Sequence, residues 1–365
     1  MKNILRFSWN KKPSRKWRKI YYAVEKANWS IRWDGIYITT NIEKLFSVKS
    51  RIVTDYTGIR NQIIHYGSRG LYVPHKWENF DKSNKVIFTW FHGNKEDPHP
   101  KNLAMIEDLP NAADICEFIH ATNIRTGERL AEWGVAREKI IVIPLGVDLN
   151  LFNPVNQNIK EKIRKEIGIP EGSLCIGSFQ KDGVGWGAGD EPKLVKGPDV
   201  FCNAVVELSK RYPIYILLTG PARGYVKKRL TEAKIPFSHK YIENFPDISK
   251  YYHALDIYLV TSRDEGGPKA ILESMASGIP IVTTDVGIAR DVVNHGKNGF
   301  IAEIENVDEI VKFASKVLND QEKTKTIISN ALGTVKEYSW ENIARLYYKK
   351  MYSKLLKEAK QEHEH

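Results

Sequence analysis

Short runs rich in β-branched and aromatic residues alternate with helical patterns along almost the whole chain, and that alternation most constrains its fold. In the first half the strand candidates are 3–8, 35–40, 51–56, 62–67, 85–91, 115–121 and 139–145. Helical patterns lie between some of them, over 14–28, 99–112 and 123–133. In the second half SLCIGSF (173–179), IYILLTG (214–220), DIYLVTS (256–262) and IPIVTTD (279–285) read as strands. Helical patterns occupy 197–212, 225–235, 268–277, 307–319 and 340–360. Such a rhythm implies mostly parallel sheets covered on both faces. A chain of 365 residues exceeds what one core usually supports. The expectation is therefore an α/β protein of two Rossmann-like, doubly wound domains, residues 1–165 and 166–340. The segment from Gly146 to about Gly172 reads as their connection, and 341–365 as a helix and tail crossing back to the first domain. Open α/β sheets bind ligands beyond the C-terminal ends of their strands, so two facing sheets create a central cleft.

Composition narrows the partners. No apolar run reaches the length of a membrane span, and the N-terminus shows no apolar stretch followed by a small-residue cleavage site. Cys116, Cys175 and Cys202 lie far apart and read as buried thiols of a reducing, cytoplasmic compartment. The net charge of +11 is uneven: residues 1–51 hold thirteen Lys/Arg against Glu25, Asp34 and Glu43. That asymmetry points to an anionic surface. Over 14–28, helical spacing gathers Trp17, Ile20, Tyr21 and Val24 in one stripe, flanked by Arg15, Lys16, Arg18, Lys19 and Lys26. An aromatic, cationic helix suits the inner face of an anionic membrane, held peripherally; packing of the stripe on the first sheet is the plainer alternative. No nucleic-acid recognition motif accompanies the charge, and nucleic acid is not expected as a partner.

The most informative stretch is DIYLVTSRDEGGPKAILESMASGIPIVTTDVG, residues 256–287. A strand ends at Ser262, and Arg263, Asp264 and Glu265 stand at its mouth. Gly266 and Gly267 permit close backbone approach, and Pro268 suits a first helical position. The helix would present its amides and positive dipole end to the cleft, a site for a diphosphate; a plain tight turn reads equally well from local physics. Glu273 falls outside the apolar arc of Ile271, Leu272, Met275 and Ala276, so periodicity alone makes it an exposed glutamate. In the first half, 85–91 runs into His92, which then faces the cleft, although a histidine at a turn often serves only the turn. His65 and Ser68 end another strand and are weaker candidates for acceptor binding. No Asp-x-Asp pair at a strand end and no metal-spaced cluster is visible, so no metal or other cofactor is expected.

Glu265 and Glu273 stand in the E-x7-E arrangement of retaining glycosyltransferases of the GT-B fold, and EGGPKAILESMASGIPIVTTDVG resembles the donor-site signature of glycosyltransferase family 4. Upstream, HATNIRTGERLAEWGVAREKIIVIPLGVDLNLFNP (120–154) is similar to that family's strand, turn, helix, strand and hinge. The resemblance implies a GT-B fold with an acceptor-binding first domain and a donor-binding second domain. It implies metal-independent, retaining transfer of a sugar from a UDP- or GDP-linked donor to a saccharide or glycolipid acceptor, as in polysaccharide biosynthesis. An epimerase-like enzyme or a catalytically silent carbohydrate-binding scaffold of the same fold is the alternative. By the same resemblance Glu273 would hold the donor ribose and Glu265 would sit beside the transferred sugar. The amides of Gly266 and Gly267 would contact sugar and diphosphate, Lys196 would bind phosphate, and His92 would touch the donor sugar. Two departures stand out. Lys181 occupies the region of the family's arginine, and a Gly-rich insertion, DGVGWGAGDEPKLV (182–195), precedes Lys196, either as a flap over the donor or as a surface loop. The usual Gly-rich turn after the first strand is replaced by SWNKKPSRKW.

Overall fold

The computed structural model describes residues 18–26, 30–71, 81–95 and 100–356. The apolar runs of the first half pair as β1 (Ile20–Ala23), β2 (Ser50–Val53), β3 (Ile63–Tyr66), β4 (Lys85–Trp90), β5 (Phe118–Ala121) and β6 (Ile140–Val142). They form one parallel sheet in the order β2-β1-β3-β4-β5-β6. The second half supplies β7 (Leu174–Phe179), β8 (Ile214–Thr219), β9 (Phe237–Lys240), β10 (Ile257–Val260), β11 (Ile281–Thr284) and β12 (Phe300–Ala302). These make a second parallel sheet, ordered β12-β11-β10-β7-β8-β9. β7 and β8 are buried almost throughout, as continuous apolar runs must be when helices cover both faces.

Four helices follow strands of the first sheet: α1 (Ser30–Phe46), α2 (Pro100–Glu107), α3 (Leu109–Ile115) and α4 (Ile124–Glu132). α5 (Gln157–Ile167) is capped by Asn156, whose side chain accepts from the Ile159 amide, and ends at Gly168 with φ 87°. α6 (Pro198–Ser209), α7 (Gly224–Glu232) and α11 (Val307–Asn319) pack with Ile176, Ile216 and Leu218 on one face of the second sheet. α5, α8 (Ser249–Tyr252), α9 (Lys269–Ala276) and α10 (Ala289–Val292) cover the other, around Leu217, Tyr258 and Val260. Neighbouring strands β7 and β10 thus send their following helices to opposite faces. The crevice between their ends is a topological switch point, where open sheets take ligands. α12 (Gln321–Val335) leads to α13 (Trp340–Tyr347), a π-helical turn over Tyr348–Tyr352 and a last turn to Leu356. Trp340 stacks on Tyr37 and Tyr348 on Phe46, so this C-terminal segment lies on the first sheet's helix α1.

Several expectations need correction. The helix expected over 14–28 is a strand where it is described: Ile20, Tyr21, Tyr22 and Ala23 form β1, in hydrogen-bonded register with both β2 and β3. Buried neighbours on both faces leave no periodicity, and a short apolar run then reads equally as helix or strand. Ile20, Tyr21 and Val24 are core residues, so the stripe proposed for a membrane faces the interior. Trp17, Arg15 and Lys16, with the strand expected at 3–8, lie outside the described residues. The run 35–40, expected as a strand, belongs to α1. Gly35 lets that helix settle on Tyr22, where an added Cβ would meet the ring at 2.7 Å. α5 sits within 146–172 and packs on the second sheet through Ile163, so the chain crosses between domains before Gln157. Val147 and Ser339 bridge there, with the Val147 amide donating to Tyr338 O at 2.9 Å.

Candidate active site at the mouth of β10

The loop after β10 brings the central pair together. Lys196 ends a single 3-10 turn, Leu194–Lys196, and that turn is tied to the β10 loop. The Arg263 amide donates to Val195 O at 2.8 Å, and Thr261 Oγ1 donates to Gly197 O at 2.9 Å. Arg263 also forks onto Asp199 at 2.9 and 2.7 Å, the bidentate geometry that fixes a guanidinium best. Gly197 turns with φ 62°, and a Cβ there would strike the Thr261 carbonyl. Lys196 Nζ consequently lies 2.5 Å from Glu265 Oε1, to which Ser262 Oγ donates at 3.0 Å. Both partners are mostly shielded from water.

His92 stands opposite, just past the end of β4. Its pKa is pushed down to about 3, first by burial and then by the charges of Arg69, Lys196, Lys193 and Arg129. The imidazole is therefore neutral at physiological pH and meets a ligand as a hydrogen-bonding group, not as a cation. The charge of Lys196 is felt at His92, so residues of both domains border the same crevice.

Three residues given no role from the sequence, Asp264, Arg129 and Asn123, hold the two domains' loops together. Asp264 accepts from the Gly93 amide at 3.3 Å and from Arg129 Nη1 at 3.2 Å, and Arg129 also donates to Gly93 O at 2.8 Å. Asn123, which caps α4 through the Thr126 amide, also donates from its Nδ2 to Gly266 O. Arg69 donates to Asn102 Oδ1 at 2.7 Å and lies over the Trp90 ring at 5.1 Å. The signal available in sequence was position alone, since Asn123 and Asp264 follow strand ends and Arg129 lies in the helix after β5. Gly266 fits against the carbonyl of Phe91, with no room for a Cβ, so its small size serves the interdomain contact. Gly267 abuts Leu145. α9 begins one residue later than expected, with Pro268 as its N-cap.

The remaining candidates sit apart from this pair. Glu273 is 6% exposed, because α9 is covered on all sides, and this corrects the expectation of an exposed glutamate. Tyr252 OH donates to it at 2.8 Å, and its pKa is pushed up to about 7, chiefly by burial, with Lys269 and Tyr252 opposing. Lys269 reaches across the interface to Asp34 of α1 and donates to Ser30 O. Lys181 rests on Trp186, its Nζ 3.9 Å from the ring centroid. His65 points into the first domain, with Nδ1 on Tyr352 OH at 2.7 Å and Nε2 on Thr89 Oγ1 at 2.9 Å. Thr89 continues to His120, whose Nε2 meets Ile143 O. Both His65 nitrogens are engaged, Nδ1 with Tyr352 of the C-terminal segment and Nε2 with Thr89 of β4, which leaves none for an acceptor. Ser68 is buried, and its Oγ has no hydrogen-bond partner among the described residues. The three cysteines are free and buried. No helix among the described residues is long and apolar enough to cross a membrane.

Residues 192–333 match the family model described as glycosyl transferases group 1. A D-inositol 3-phosphate glycosyltransferase of Corynebacterium urealyticum is 25% identical over 265 residues, 69% of this chain and 59% of that protein. The lipopolysaccharide core biosynthesis mannosyltransferase LpsB of Rhizobium meliloti is 26% identical over 56% of this chain and 58% of its own. The chain thus spans under two thirds of the length of these curated relatives. Among solved structures, Anabaena HepE in complex with UDP and glucose superposes with a TM-score of 0.72 at 17% identity, covering 92% of this chain and all of that one. Sucrose-phosphate synthase of Thermosynechococcus elongatus gives 0.69 at 15% identity, over 93% and 99%. The fold they share with this chain is GT-B.

Proposed function

We propose that this chain, whose residues 192–333 match the group 1 glycosyl transferases, transfers a sugar from a nucleotide-sugar donor to a saccharide or glycolipid acceptor, with retention of the anomeric configuration. The observation that carries this reading is the Lys196–Glu265 pair at the switch point, facing a neutral His92. A diphosphate entering the crevice competes with Glu265 for the Lys196 ammonium. The carboxylate is then released to accept hydrogen bonds from hydroxyl groups of the transferred sugar, while the lysine offsets charge on the leaving group. His92 adds a neutral hydrogen bond to the same sugar. The α9 N-terminus and Lys181 supply further positive character for the diphosphate, so the proposed reaction uses no metal. UDP is the first nucleotide to test, since HepE binds it. The LpsB name favours a saccharide of the cell surface as acceptor. Association with the inner face of an anionic membrane remains proposed from the charge of residues 1–51 alone.

A panel of nucleotides and nucleotide sugars, read as shifts in melting temperature, identifies the donor by mass action. With that donor, Glu265→Ala should lose turnover and Glu273→Ala should lose nucleotide affinity, and proton NMR of the product reads its anomeric configuration. Unchanged turnover in Glu265→Ala ends the proposal, as does an inverted product for its retaining part.

A further inference from the structure

The insertion of 182–195 is a braced platform. Asp182 and Arg223 form an ion pair at 2.9 Å that is closed to solvent, and Arg223 Nη1 also donates to Ser178 O, Gln180 O and Thr219 O. The Val184 amide donates to Glu191 O at 2.9 Å, and the Lys193 amide to Asp182 O at 2.7 Å. At the far end, the Gly224 and Tyr225 amides both donate at 2.8 Å, to Ala188 O and Gly189 O. Gly183 and Gly189 lie flush on the Ala222 backbone, where no side chain fits. These ties lie within the insertion or run to the rest of the second domain. The tip they hold exposes Trp186, at 62%. Gly185 and Gly187 flank it, and nothing lies within 4 Å of a Cβ built at either.

Its position is specific. The insertion rises from the end of β7, one lip of the switch-point crevice, and Lys181 lies on one indole face. An indole carried on a rigid loop beside a lysine offers a π-surface next to a positive charge, which matches a base joined through ribose to a diphosphate.

We propose that Trp186 is the stacking platform for the donor nucleobase, with Lys181 beside it directed to the attached diphosphate. This rests on the reading of the chain as a nucleotide-sugar enzyme. Stacking of a base on an aromatic ring is sequence-tolerant and strong enough for its loss to weaken binding about tenfold.

The test is calorimetric titration of the full chain, Trp186→Ala and Trp186→Phe with UDP, GDP and inorganic pyrophosphate. Trp186→Ala should bind the preferred nucleoside diphosphate about tenfold more weakly, with Trp186→Phe within about threefold of the parent and pyrophosphate unchanged in both. Equal weakening for pyrophosphate would mean that the ring acts only through Lys181 and overturns the proposal. So would unchanged nucleotide affinity, including the case where Trp186→Ala raises only the KM for acceptor. A parent chain that binds no nucleoside diphosphate fails earlier, at the proposed function itself.

Discussion

Gly266→Ala tests whether closure of the two domains onto each other is what makes the site. Gly266 does not hold a left-handed φ, so alanine brings no backbone strain. The new methyl would overlap the Phe91 carbonyl group and lie 2.8 Å from Phe91 Cα. Carbon atoms in contact sit about 3.5–4.0 Å apart, so the Glu265–Gly267 loop and the His92 loop must separate by at least about 1 Å. Displacement of that size at a reacting centre costs about 100-fold in rate, or about 2.7 kcal/mol of transition-state stabilisation. Steady-state kcat/KM with the identified donor should fall by that factor. The melting temperature should change little, since neither sheet's core is touched. Gly333→Ala in α12 is the matched control: nothing lies within 4 Å of its built Cβ, and alanine there should add up to about 1 kcal/mol of stability with full activity. A Gly266→Ala enzyme with parental kcat/KM would refute the argument that the Phe91–Gly266 contact sets catalytic geometry.

Other outcomes follow from buried charge. Glu273 has a folded pKa of about 7 against an ordinary 4.5, so the folded state keeps a proton that the unfolded state loses; stability present at pH 4.5 is lost as pH rises through 7. Glu273→Gln removes that loss, so it should melt higher than the parent at pH 8, by up to about 3 kcal/mol, and not at pH 5; a difference flat with pH contradicts this. Asp182→Ala strands the Arg223 guanidinium inside the protein and should cost about 3–5 kcal/mol in denaturant unfolding, with new protease cleavage within 182–195. Unchanged cleavage there would show that the ion pair does not hold the insertion. Co-sedimentation with anionic vesicles should weaken from 0.1 to 1 M salt and on reversing Arg15, Lys16, Arg18 and Lys19; equal recovery in the supernatant throughout removes the membrane proposal.

Fold class was readable because it rests on the repeated pattern: β7, β8, β10 and β11 are apolar runs ended by loop residues, with amphipathic helices between them. Where the pattern is weak, tertiary context decides. Ile20–Ala23 becomes a central strand because β2 and β3 flank it, and 35–40 becomes helix because Gly35 packs on Tyr22, neither of which spacing can reveal. The Lys196–Glu265 pair joins residues that motif resemblance had named, although their direct contact depends on the turn fixed by Arg263 and Gly197. Asp264, Arg129 and Asn123 escaped because their work is interdomain, and one sequence says nothing about which strand ends will face each other. His65 misled for a related reason: a histidine near a strand end was placed by chain position, while its ring points to the face covered by Tyr352.

Glu273 shows how the interface bears on function. Its carboxyl is closed off, with Lys269 bound to Asp34 of the first domain and Tyr37 close enough to feel its charge. Asp34 itself is 1% exposed, and burial lifts its pKa to about 6. One lysine thus serves two buried carboxyls, one from each domain, and charge balance favours a proton on one of them. On the proposed reading, a ribose held by Glu273 draws on the charge of Lys269, which is now tied to Asp34 of α1. Other cross-domain ties, Arg125 to Asp285 and Arg129 to Asp264, are also polar. Polar pairs exchange partners with water at modest cost, unlike an apolar interface of the same area. The proposed role of Glu273 therefore predicts that donor binding loosens the interdomain contact at Lys269, with the Lys269–Asp34 pair as the tie that gives way.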